Sequence, residues 1–193
     1  MKLLLTSAGL TNSAIVDALL DLLGKPFSKA NIVFIPTAAN AEEGDKSWLV
    51  QDLTSTQALG WGSFQIIDIA ATHGLSNNVW LTSVREADVL MVGGGNCFYL
   101  SYWLHRSGLA SELPHLLKTS VYIGVSAGSM VAGASLCVAS QALNNPQSFK
   151  DEVYDELGPL GQSSAKTLHL TDFVFRPHLN SPFFPKANQS FLQ

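Results

Sequence analysis

The sequence predicts an α/β protein in which a mostly parallel central sheet is covered by helices on both faces. Three observations carry this. Short, solid apolar runs alternate with longer amphipathic segments along most of the 193 residues. The strand-like runs are apolar throughout rather than at every second position, as expected for strands buried on both sides. Hydrophobic residues make up 47% and charged residues only 13%, ample for one sizeable core and unlike a disordered chain.

Lys2–Thr6 reads as a buried strand and Ser7-Ala8-Gly9 as its exit loop. Ile15, Val16, Leu19, Leu20 and Leu23 form one stripe of a helix over Ser13–Leu23, with Asn12 as N-cap and Gly24 as stop. Asn31–Pro36 is the second strand, ended by its proline. Trp48, Leu49, Leu53 and Leu59 mark a second helix closed by Gly60, and Ser63–Ile69 a third strand. Ala87–Val92 is the fourth strand and runs straight into Gly93-Gly94-Gly95. Cys97–Leu104 and Leu109–Leu117 read as helical, Val121–Val125 as the next strand, with a helix after it. The stretch from Asn144 to Ser164 is polar, acidic and broken by Pro146, Gly158, Pro159 and Gly161, an excursion over the surface. Thr167–Phe175 resumes as one or two strands. With no repeat and no linker, a single domain over residues 1–193 is expected.

Composition excludes several classes. Eleven Lys+Arg against fifteen Asp+Glu give a net charge of −4, with no basic stripe, so nucleic acid is not an expected partner. No apolar run approaches the ~18 residues of a membrane span. The leucines after Met1 are interrupted at Thr6 and Ser7, too soon for an export signal. The two cysteines, Cys97 and Cys137, suit a reducing cytoplasm rather than a disulfide framework. Neither His-Glu-x-x-His nor paired Cys-x-x-Cys occurs, so no metal or cofactor is expected.

The chemistry concentrates where Val121–Val125 ends in Gly124-x-Ser126-x-Gly128. A tight strand-to-helix turn of this kind presents the serine hydroxyl outward, and the amide of Ala127 points to the same place as an oxyanion donor. Gly93-Gly94-Gly95-Asn96 is not a dinucleotide fingerprint, since Phe98 occupies the sixth position, but its amides also suit an oxyanion. Among candidate bases, His105 and His115 read as helix-surface residues, His169 as a packed strand residue and His73 as a loop residue. His178 follows Arg176-Pro177 at a strand end, where catalytic groups commonly sit. Cys97, beside the glycine loop, is a weaker alternative nucleophile.

NIVFIPTA, VLMVGGGNCFYL, YIGVSAGS and RPHLNSPF occur in that order over nearly the whole chain. In this combination the sequence resembles the peptidase E family of aspartyl dipeptidases and cyanophycinase-like serine peptidases. The resemblance implies a class I glutamine amidotransferase-like (flavodoxin-like) three-layer sandwich. It implies Ser126 as nucleophile, His178 as general base, and Gly94, Gly95 and Ala127 as the oxyanion hole. Substrate contacts are then expected from Asn96, Arg176 and Lys186. The window for the family's acidic triad member reads Gln141-Ala142-Leu143-Asn144, so Asn144 is the expected partner of His178, with Asp151 and Glu152 as substitutes. An amide there holds the ring without stabilising its charge and predicts weak turnover. The family continues beyond this point with a further strand and helix, so a sheet edge is expected to be absent here or covered by a partner chain, as in a homodimer.

The expected function is hydrolysis of short peptides, dipeptidase in type, through an acyl-enzyme on Ser126. Two alternatives stand beside it: a catalytically impaired homologue that binds a small ligand or peptide, and a serine esterase of the α/β-hydrolase class.

Overall fold

Five strands form the centre of the described part of the chain: β1 (Lys2–Thr6), β2 (Asn31–Ile35), β3 (Ser63–Ile66), β4 (Val89–Val92) and β5 (Val121–Val125). The structure, a computed structural model, describes residues 1–72, 75, 77–136, 166–184, 187 and 188, with 77–79 described by backbone alone. All strand pairings are parallel, in the order β1-β5-β4-β2-β3. The helices are α1 (Ser13–Leu23), α2 (Ser47–Gln57), α3 (Asn77–Arg85), α4 (Cys97–Arg106), α5 (Leu109–Leu116) and α6 (Ala127–Ala132).

Strand alternation sorts the apolar residues into two cores. Ile32, Phe34, Val89, Met91, Val121 and Ile123 face α1 and α2, meeting Leu19, Leu23, Leu49 and Leu53. Val33, Ile35, Leu90, Val92 and Tyr122 face the opposite way, toward side chains of α3 to α6 such as Val84, Leu100, Leu113 and Val131. Each large side chain buried in this way contributes roughly 1.5–3 kcal/mol, which is why the strands are apolar on both faces.

The first helix forms as its sequence predicts. Asn12 accepts a hydrogen bond from the Ile15 amide at 3.0 Å, and Gly24 closes the helix with φ 72°. Two expectations need correction. The third strand stops at Ile66 rather than Ile69, because Asp68 turns inward to accept hydrogen bonds from Thr37 Oγ1 and Asn40 Nδ2, each at 2.7 Å. Residues 167–175 are not strands. Instead, the amides of Leu168 and Leu170 donate to the carbonyls of Val131 and Ala132 at 2.7 and 2.9 Å. The physical reason is the shortness of α6, whose last carbonyls need donors from elsewhere in the chain. A helix that the sequence reading did not assign, α3, buries Trp80, Leu81 and Val84. The expected excursion over residues 144–164 lies outside the described residues. Among those described, no helix is long and apolar enough to cross a membrane.

Candidate active site

β1, β4 and β5 are neighbours, and their carboxyl ends open together at one edge of the sheet, the usual place for a ligand in a parallel α/β fold. Ser126 follows β5 directly with φ 48° and ψ −102°, a conformation that side-chain-bearing residues avoid at a cost of about 1–3 kcal/mol. Close packing holds it there. A Cβ on Gly128 would fall 2.0 Å from the carbonyl oxygen of Val92, and one on Gly124 would fall 2.7 Å from Ser129 Cα. The elbow glycines therefore let α6 press against β4 and β5.

Hydrogen bonds tie the elbow to the end of β1. The Ser126 amide donates to the Thr6 carbonyl at 3.0 Å. Ser129 Oγ donates to that carbonyl at 2.8 Å and accepts from the Thr6 amide at 3.0 Å. Tyr122 Oη donates to the Gly128 carbonyl at 2.7 Å.

His178 arrives from the C-terminal segment, 52 residues further along the chain, and its Nε2 lies 2.9 Å from Ser126 Oγ. The histidine has φ 62°, and its carbonyl accepts from the Ser181 amide at 3.0 Å. Its own amide donates to Ser7 Oγ at 3.3 Å. Phe184 stacks on the imidazole at a centroid distance of 4.3 Å and an interplanar angle of 11°. Burial, and secondarily the Arg176 guanidinium, hold the imidazole pKa below its ordinary 6.5. At neutral pH the ring is accordingly neutral and able to accept a proton.

Gly94 lies against Ser126: a Cβ there would sit 3.4 Å from Ser126 Cβ. Gly95 has φ 128°, and a Cβ on it would fall 2.3 Å from the Ala38 carbonyl oxygen, so this loop admits no side chain. Ala127 supplies the first amide of α6, a position with no intrahelical acceptor. Ser126, His178, Gly94, Gly95 and Arg176 line one cavity of about 850 Å³, together with Trp48 and Asp52 of α2.

Asn96 departs from its expected role. It is buried and does not line the cavity; its Oδ1 accepts from the Phe98 and Tyr99 amides, both at 3.0 Å, and caps α4. Cys97 is buried and its thiol pKa is pushed up to about 12, chiefly by burial, so it is no thiolate nucleophile at neutral pH. His105 is held by the Ser101 carbonyl at 2.9 Å. Asn144, Lys186, Asp151, Glu152, Cys137 and His73 lie outside the described residues.

Sequence reasoning missed Ser7, Ser129 and Phe184. Ser7 was visible only as loop chemistry after β1, Ser129 as one more small residue of the elbow, and Phe184 as an aromatic among prolines. Nothing in one dimension announces that they meet at Ser126 and His178.

Comparison with known proteins agrees with this architecture. The sequence profile of peptidase family S51 matches residues 3–193. The chain is 30% identical over 177 residues to the uncharacterized peptidase PM1590 of Pasteurella multocida, covering 91% of this chain and 77% of that protein. It is 27% identical over 150 residues to peptidase E of Escherichia coli O6:H1, covering 76% of this chain and 62% of that protein. A crystal structure from Listeria monocytogenes EGD-e, of a protein provisionally described as peptidase E, superimposes with a TM-score of 0.77. That match has 25% identity and covers 100% of this chain and 86% of the other. With its parallel sheet, serine elbow and matching profile along nearly its full length, the chain belongs to peptidase family S51.

Proposed function

We propose that this peptidase-type hydrolase cleaves short peptides by a serine mechanism. The observation that carries the proposal is the 2.9 Å approach of His178 Nε2 to Ser126 Oγ at a strained elbow lining a cleft. His178 takes the hydroxyl proton as Ser126 Oγ attacks the peptide carbonyl carbon. The tetrahedral oxyanion is met by amides of Gly94, Gly95 and Ala127. His178 then gives its proton to the departing amine, leaving an acyl-enzyme, and next activates a water that releases the acid. The depressed imidazole pKa suits the first transfer, and Arg176 offers the cleft a cation for a substrate carboxylate.

The test is active-site labelling with a fluorophosphonate, together with turnover of a dipeptide panel. The expected result is labelling abolished in Ser126→Ala and slowed ~10²–10⁴-fold in His178→Ala, with peptide cleavage lost in parallel. Cleavage of p-nitrophenyl esters without any peptide points instead to an esterase. Tight peptide binding with neither labelling nor turnover points to a binding protein.

A further inference from the structure

One wall of the cleft is a single face of α2. Trp48, Gln51, Asp52 and Ser55, spaced i, i+3, i+4 and i+7, all line it. Leu49 and Leu53 turn the other way into the core. Asp52 differs from the other carboxylates that line the cleft, Glu42, Glu43 and Asp45, of which Glu42 and Glu43 each have an interaction of their own. Asp45, also at the cleft, has its carboxylate engaged by the amide and hydroxyl of Ser47. The Asp52 carboxylate receives no hydrogen bond and no ion pair among the described residues. Its carbonyl oxygen, by contrast, accepts from Thr56 Oγ1 at 2.6 Å, so the helix is stitched while the charged end is left to the cleft.

The carboxylate lies beside the loop that leaves β1. A Cβ on Gly9 would fall 3.0 Å from Asp52 Oδ1 and 3.9 Å from Val125 Cγ1. Gly9 ends the β1 exit loop in which Ser7 binds the His178 backbone, and Val125 precedes Ser126. Asp52 therefore sits over the same loop that supports the catalytic pair. A partly desolvated carboxylate without a protein partner is most stably satisfied by a cation that also donates hydrogen bonds.

We infer that Asp52 is a specificity-determining residue that binds the ammonium group of the peptide substrate. This rests on the reading of the Ser126–His178 cleft as a peptide site. An ammonium can come from a free α-amino terminus or from a lysine side chain, and the two are separable by experiment. Burial pushes the Asp52 pKa up to about 6, so the group remains an anion at pH 7.5, where the amine is still a cation.

The experiment measures calorimetric binding at pH 7.5 of alanyl-alanine, N-acetyl-alanyl-alanine and N-acetyl-lysyl-alanine to the Ser126→Ala protein. An amine-bearing peptide is expected to bind about tenfold tighter than N-acetyl-alanyl-alanine, the scale of one charge-assisted hydrogen bond. Preference for alanyl-alanine identifies the α-amine as the source, and preference for N-acetyl-lysyl-alanine the side chain. Adding Asp52→Asn should bring the ratio to within twofold, while Asp45→Asn should leave it unchanged. In the protein with Ser126 intact, Asp52→Asn should raise KM with kcat within about threefold. Equal binding of all three peptides, no binding at all, or a ratio that survives Asp52→Asn overturns the inference. Failure of turnover with the binding ratio intact refutes the peptidase reading alone.

Discussion

Replacing Gly128 by alanine tests whether the elbow depends on the close approach of α6 to β4. The added methyl would lie 2.0 Å from the Val92 carbonyl oxygen and 2.8 Å from its carbon. The first contact is at least 1 Å shorter than Cβ contacts normally reach, and the obstacle is backbone in the middle of the sheet. α6 must therefore retreat by about 1 Å, loosening the bond from Tyr122 Oη to the Gly128 carbonyl. Overpacking of this kind costs about 3 kcal/mol, near the top of the usual range, because neither strand nor helix can yield cheaply. For a domain of this size that lowers Tm by roughly 6–12 °C. Ser126 stands at the N-terminal end of the displaced helix, and a shift of about 1 Å at its hydroxyl is expected to slow labelling ~10²-fold. The control is Gly24→Ala. Gly24 has φ 72° and nothing within 4 Å of the methyl that alanine would add, so its penalty is conformational, about 1 kcal/mol, with labelling unchanged. Thermal unfolding by circular dichroism and fluorophosphonate labelling rates read both effects. A Gly128→Ala protein within 2 °C of the parent (against the roughly 6–12 °C expected) and labelling at the parent rate would refute the argument.

Three further outcomes follow from individual contacts. Phe184→Ala removes the ring stacked on His178, so the imidazole is better solvated and its pKa rises toward 6.5; the acid limb of the labelling profile should move to higher pH, with the plateau rate down roughly 2–10-fold. Asn96→Ala removes the α4 cap at a cost of about 1–2 kcal/mol, seen as a lower urea midpoint, while KM for a cleaved dipeptide stays put; a large rise in KM would return Asn96 to the substrate. Asp52→Asn should stabilise the protein at pH 7. The folded-state pKa of about 6 exceeds the ordinary 3.8, so the folded protein binds more protons than the unfolded chain between these values, and stability falls as pH rises through them. With solvent screening, the Asn variant is expected to gain about 1–2 kcal/mol above pH 6 and nothing below pH 4; an equal gain at pH 3.5 and pH 7 would show a packing effect instead.

Local sequence was sufficient for whatever local physics controls. Asn12 and Gly24 bound α1 as a capping side chain and a left-handed glycine should, and the solid apolar run Val121–Val125 is a strand at those residues. The elbow was legible because Gly124, Ser126 and Gly128 must occur together at one short turn. Asn96 was misjudged because its position beside the glycine loop suits a ligand contact and a helix cap equally, and only the bonds to Phe98 and Tyr99 separate them. The segment around Thr167–Phe175 carries strand-like apolar residues, yet its amides serve the carbonyls at the end of α6, a demand created by a distant and unusually short helix.

The order of apolar and polar residues alone determined the alternating elements, the parallel sheet and the elbow that carries Ser126, since each depends on neighbours within a few turns of chain. Tertiary structure alone decided that Ser7 and Phe184 hold His178, that Thr6 and Ser129 brace the elbow, and that a face of α2 brings Asp52 into the same cleft. Those contacts join segments far apart along the chain, and their existence depends on strand order, which no short-range pattern encodes.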